Sequence, residues 1–242
     1  MNLQKSRLLS WPTRHWVVCL FLVSAICAGL AVNVSKAVSA ADLAALAAMG
    51  IGPNLPASSY EEEIQRIREA QARVLALMTV DNSLPQIGRA VEPADLLLRR
   101  RGACYELSRT LEKAFAINGL ESRRVFYLYR QDKGFFGALT TRQHPSHAAV
   151  EVKTRKGWLL VDSIVSWIAI DKSGLPVPAS GIWAHPERFE AVPEHLLLSS
   201  WAFRGLYSRG GHLYGSPLPA PEVNWRDLAN WIISFDEDRH LH

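Results

Sequence analysis

At 242 residues, 48% hydrophobic and 21% charged, the chain is neither disordered nor uniformly apolar, so a folded body with its own core is expected. Its formal charge of +4 belongs to the first forty residues, where Lys5, Arg7, Arg14 and Lys36 stand without any acid; the rest holds 23 bases against 23 acids. A balanced body argues against nucleic acid as a partner, whatever the overall excess of bases.

Trp16 to Val34 is an uncharged, mostly apolar run of 19 residues that follows Lys5, Arg7 and Arg14. Bases before an apolar segment hold the amino end in the cytoplasm while the remainder crosses. The run is long for a cleaved signal and near the minimum for a spanning helix. Val38-Ser39-Ala40 supplies small residues at the spacing a signal peptidase reads. Residues 1–40 therefore read as a signal peptide or an N-terminal membrane anchor. Cleavage after Ala40 is favoured, membrane contact is confined to residues 16–34, and the body is periplasmic or secreted. Cys19 and Cys27 lie inside the apolar run and read as membrane-buried thiols. Residues 41–58, Ala-rich and then Gly50-Ile51-Gly52-Pro53-Asn54-Leu55-Pro56, read as a linker.

Ser59 followed by Glu62 predicts a capped helix start, and Ile64, Ile67, Val74, Leu75 and Met78 recur at helical spacing up to Thr79. A short helix is expected over Pro93–Arg100 and a longer one over Cys104–Asn118, closed by Gly119. On the longer helix Cys104, Leu107, Leu111 and Phe115 share one face. Val125–Arg130 reads as a strand. Ser146–Lys153 and Trp158–Ser163 read as a hairpin around Thr154-Arg155-Lys156-Gly157, with Lys153 facing Trp158. In that register Asp162 falls opposite Ala149 and on the face of His147, diagonally within side-chain reach; a slip of one residue would separate them. Farther on, His195–Phe203 is expected to be helical, as is Asn224–Phe235, with Trp225, Leu228, Trp231 and Ile232 on its apolar face. The clusters Arg99-Arg100-Arg101 and Arg123-Arg124 read as solvated faces.

Cys104 is the one cysteine outside the apolar run. An exported chain normally pairs its thiols or has none, so a single thiol in the first turn of a helix, where the dipole favours thiolate, points to reactivity. With His147 and Asp162 it supplies nucleophile, base and base-orienting carboxylate. Gly102-Ala103-Cys104 through Phe115 and Gly119-Leu120-Glu121, then Arg124-Val125, His147-Ala148-Ala149-Val150-Glu151-Val152 and Gly157-Trp158-Leu159-Leu160-Val161-Asp162, resemble the core of the transglutaminase-like superfamily.

The resemblance implies an α+β, papain-like fold in which a helix carrying the cysteine packs on an antiparallel sheet. It makes Cys104 the nucleophile, His147 the base and then acid, and Asp162 the orienting group. The implied function is a cysteine-dependent acyl-transfer enzyme, a peptide or amide hydrolase or a transglutaminase, acting on protein, peptide or cell-envelope glycan substrates. The rival is a catalytically silent module that binds envelope polysaccharide or protein. Ala103 departs from the family's usual polar or large residue before the cysteine, which leaves the backbone N–H of Cys104 as the one oxyanion donor that can be named.

The catalytic core is expected over 59–174, and 175–242 as a C-terminal extension of the same domain. Within it Tyr207, Arg209 and His212, on a Gly-rich stretch, are candidate substrate-binding residues of a lid. Cys104, His144, His147 and Asp162 lack the paired-ligand spacing of a zinc site, so neither metal nor cofactor is expected.

Overall fold

The structure is a computed structural model that describes residues 18–20, 22–24, 33–81, 91–129, 134, 137–138, 141, 144–207 and 222–233. Most of the apolar run 16–34 lies outside these. Among the described residues no helix is long and apolar enough to cross a membrane.

The first helix, α1 (Ala40–Ala48), begins inside the expected linker. The Ser39 hydroxyl accepts the Asp42 N–H, and the Asp42 carboxylate accepts the N–H of Ser39 in return. This reciprocal cap starts a helix whose Leu46 is fully buried, with Met49 and Ile51 just beyond it in the same core. Residues 41–58 are therefore not a linker throughout, because their apolar side chains are needed by the core. The segment before α1 is tied down as well. Val34 N–H donates to the Val223 carbonyl at 2.7 Å, Asn224 Nδ2 donates to the Val34 carbonyl at 2.8 Å, and Lys36 pairs with Asp227 at 2.6 Å.

Helix α2 (Tyr60–Leu77) starts where the sequence indicates, with the Ser59 hydroxyl accepting the Glu62 N–H. Glu62 reaches back to Ser58 rather than to Ser59, which leaves the predicted capping box half formed. Strand β1 (Thr79–Val80), helix α3 (Pro93–Arg99) and strand β2 (Arg101–Gly102) then lead to α4 (Cys104–Ile117). Helix α4 ends as expected, with Gly119 at φ +72° providing the left-handed turn. It packs on α2 and lies across the sheet.

That sheet has four antiparallel strands in the order β5-β4-β3-β6: β3 (Ser122–Tyr129), β4 (Ser146–Thr154), β5 (Gly157–Val161) and β6 (Ser199–Arg204). The β4–β5 register pairs Lys153 with Trp158 and Val150 with Val161, as the hairpin reading requires. The connection after β5 carries the short helices α5 (Gly181–Ala184) and α6 (Glu194–Leu197).

His195–Phe203 is not one helix. From Ser199 onward the chain is strand β6, Ser199–Arg204, which pairs with β3, because an open β3 edge offers a full ladder of backbone partners that outweighs local preference. Strands β7 (Leu206–Tyr207) and β8 (Glu222–Val223) precede α7 (Trp225–Ile233). The apolar face expected for α7 is only partly the buried one. Trp231 packs on Phe203, whereas Trp225 and Ile232 are exposed and Asp227 is buried against Lys36.

Candidate active site

Each position on α4 from Cys104 to Phe115 is buried, polar residues included. The helix is launched by a tight approach: a Cβ at Gly102 would stand 2.6 Å from Leu96 Cδ1, so glycine lets α3 and the start of α4 close on each other. Ala103 is the N-cap. It has no side-chain oxygen to offer, and the cap is completed from the other side, with the Glu106 carboxylate accepting the Ala103 N–H at 2.9 Å. Cys104 then lies in the first helical turn, buried among Tyr105, Phe126, Leu128 and Ala148.

The sheet brings the base and the acid to this helix tip. His147 is the second residue of β4, opposite Tyr127 of β3, and the two rings stack with centroids 6.3 Å apart. Tyr127 is braced in turn by the edge of Trp183 at 5.4 Å. Asp162 follows β5 directly, and His147 Nε2 lies 3.1 Å from its Oδ2. Cys104 lies close enough to the same ring to help raise the His147 pKa. All three side chains predicted from sequence therefore meet.

The Asp162 carboxylate has no spare acceptor capacity. Oδ1 accepts the N–H of Ile164 at 2.8 Å and of Val165 at 3.0 Å. Oδ2 faces His147 Nε2 and also His195 Nε2, at 2.7 Å. Four donors occupy four lone pairs. Burial alone would disfavour the charged carboxylate, but the two imidazoles outweigh it and hold Asp162 well below the usual carboxylate range. An ionised Asp162 can only accept, so both imidazoles present N–H at Nε2. In its neutral form His147 then carries its unprotonated nitrogen at Nδ1. Burial likewise opposes charge on His147, yet Asp162 and Cys104 together hold its pKa well above the usual histidine value. The loop bearing Asp162 is fixed from behind. Gln71 of α2, itself buried, donates through Nε2 to the carbonyls of Asp162, Val165 and Trp167 at 2.8, 3.0 and 2.9 Å.

Sequence reasoning missed His195 and Gln71. Neither has a fixed spacing to the thiol, and local sequence puts His195 at the start of a long helix. Its approach depends on the reversal between α6 and β6, which sets its ring edge-on to His147 with centroids 4.6 Å apart. His144, the competing base, is held elsewhere, its Nε2 facing the Tyr129 carbonyl at 2.9 Å. Of the lid residues, Tyr207 lies in β7, while Arg209 and His212 fall outside the described residues.

The Arg123-Arg124 pair is not a solvated face. Arg124 is fully buried beside Glu112 and under the Tyr105 ring, and Arg123 pairs with Glu151 while covering Trp158. Tyr129, at the end of β3, is pushed up to about 12 by burial and by the nearby Cys104 and Asp162, so it stays a neutral phenol. His147, Asp162 and His195 also place ligand atoms within 4.8 Å of one another, close enough for a metal ion.

Residues 56–163, which include Cys104, His147 and Asp162, match the family model of the transglutaminase-like superfamily. Over that segment the chain is similar to the transglutaminase-like superfamily. Its mixed helices and antiparallel sheet agree with the α+β class. No curated protein matches the chain. Among solved structures, a protein from Cytophaga hutchinsonii proposed to be a cysteine protease matches at 15% identity and a TM-score of 0.33. The match covers 56% of this chain and 39% of that one, so the chain spans well under two thirds of that protein's length.

Proposed function

We propose that this transglutaminase-like chain is an extracytoplasmic, cysteine-dependent acyl-transfer enzyme, acting on an amide or ester carbonyl in a protein, peptide or cell-envelope glycan substrate. The observation that carries this reading is a single buried imidazole, His147, that faces Asp162 at 3.1 Å and whose pKa is raised by both Asp162 and Cys104. In the forward step the Cys104 sulfur bonds to the carbonyl carbon, and the proton it gave up rests on His147. The backbone N–H at the start of α4 faces the developing oxyanion, where the helix dipole favours negative charge. His147 then passes its proton to the leaving amine or alcohol as the carbonyl bond to it breaks. Water, or an amine, attacks the resulting thioester, His147 takes up the attacker's proton, and the carbon–sulfur bond breaks to release the acyl product and return the Cys104 sulfur, with the His147 proton, to its starting state. Hydrolysis is the default outcome, since no acidic run in the sequence suggests the calcium site of a regulated amine-transferring enzyme. The export reading rests on the bases and apolar run at the amino end.

An activity probe bearing a thiol-reactive amide tests the proposal by mass spectrometry of the intact chain. The wild type should take up one probe at Cys104, Cys104→Ser none, and His147→Ala should react about 100-fold more slowly. An inert wild type, or a His147→Ala rate equal to the wild type's, would overturn the reading.

A further inference from the structure

Asp162 serves two imidazoles, and the triad accounts for only one of them. His195 stands on α6, outside the segment matched by the family model, and is the most exposed group of the cluster at 21% of its side chain. Its contact with Oδ2 is the shorter of the two, 2.7 Å against 3.1 Å for His147. It is not needed to aim the carboxylate. The two N–H groups on Oδ1 and the Gln71 amide behind the loop already fix Asp162 in place. What His195 does take is half of the acceptor capacity of the one oxygen that His147 uses.

We propose that His195 is a positioning residue that divides the Asp162 carboxylate, weakening its hold on the His147 imidazolium so that this proton can be surrendered to the leaving group. The inference rests on the reading of Cys104 and His147 as the reacting pair. A donor on Oδ2 draws electron density from the oxygen that stabilises the imidazolium. Removing that donor while Oδ1 stays pinned concentrates the charge on His147. The base then becomes too strong to act as an acid near neutral pH.

The groups facing His147 are Cys104 from α4, Asp162 after β5, His195 from α6 and Tyr127 from β3, with Tyr129 close to the thiol and the carboxylate. Glu151 and Arg204 lie beyond Tyr127. Burial keeps both tyrosines neutral at the pH values at issue, Tyr127 well above its ordinary value and Tyr129 at about 12.

The test is the pH dependence of Cys104 alkylation by iodoacetate in the intact chain. The sulfur bonds to the reagent carbon as iodide leaves, and the anionic reagent reacts faster while the neighbouring imidazolium keeps its charge. Loss of that charge gives the rate profile an alkaline limb. His195→Ala and His195→Phe, the second keeping most of the ring volume, should both move that limb upward by about one pH unit, a tenfold change in the imidazolium's proton affinity. His195→Gln, which can present an amide N–H near the same place, should leave it where the wild type has it.

An unmoved or lowered limb in His195→Phe, or a limb in His195→Gln shifted as far as in His195→Phe, would overturn the inference. Should His195→Ala fail to fold, His195→Phe and His195→Gln decide the matter. A wild-type profile with no alkaline limb, or one that His147→Ala leaves unchanged, would instead remove the Cys104–His147 pair itself.

Discussion

Helix α4 buries charge on two sides, with opposite results. At its amino tip one fixed anion, Asp162, meets two imidazoles and a thiol, groups whose charge depends on where protons sit. On its other face Arg109, Glu112 and Lys113 join Arg124, Glu92, Asp42, Lys36 and Asp227 in a clasp that gathers β3, α1, the segment before it and α7. There four bases meet four acids, and Asp42 to Lys113 and Lys113 to Glu92 are both 2.5 Å. A matched set of fixed charges satisfies itself and has little reason to move a proton. A carboxylate shared among titratable partners can let one of them gain and lose a proton. Buried polarity alone does not mark the reactive end; the kind of partner does.

The comparison breaks most sharply at Asp162. Asp162→Asn keeps the shape but removes the charge and, because its amide can donate as well as accept, no longer forces Nε2–H on His147. Acylation of Cys104 by an activated ester should fall about 10²- to 10⁴-fold while the far-ultraviolet spectrum is retained. A loss of less than threefold would mean that the carboxylate does not set the tautomer.

On the opposite face, Glu112→Gln leaves the buried Arg109 and Arg124 short of a countercharge. It should cost about 3–5 kcal/mol in urea unfolding without moving the alkylation profile of Cys104. A shifted profile would show that the two charge systems are coupled through the helix.

The smallest effect expected is from a chain beginning at residue 41, which lacks the Ser39 cap, the Lys36 pairs with Asp227 and Glu112, and the Ser35 carbonyl that accepts from Arg109. A cap is worth about 1 kcal/mol and a hydrogen bond to a charged group about 1.5–3. Unfolding should therefore become easier by about 2.5–4 kcal/mol relative to a chain beginning at residue 33. Equal stability would mean that cleavage after Ala40, the outcome favoured by sequence, costs the body nothing.

The sequence by itself determined the local units and, through them, the three expected site residues. Ser59, Gly119 and the stripe Leu107–Leu111–Phe115 set helices α2 and α4, because caps and apolar periodicity are properties of neighbouring residues. The Thr154–Gly157 turn fixed the register that carries Asp162 back toward His147, since strand side chains alternate with a period of two. The Ser39–Asp42 cap is a local signal of the same kind, masked by the alanine-rich composition around it.

Tertiary structure alone decided the rest. Residues 199–204 became a strand because β3 had an edge to fill, Arg124 was buried because Glu112 and Tyr105 were there to receive it, and His195 and Gln71 reached Asp162 from far along the chain. Such contacts leave no spacing to read. Their free energy comes from partners that meet only after the chain has closed on itself.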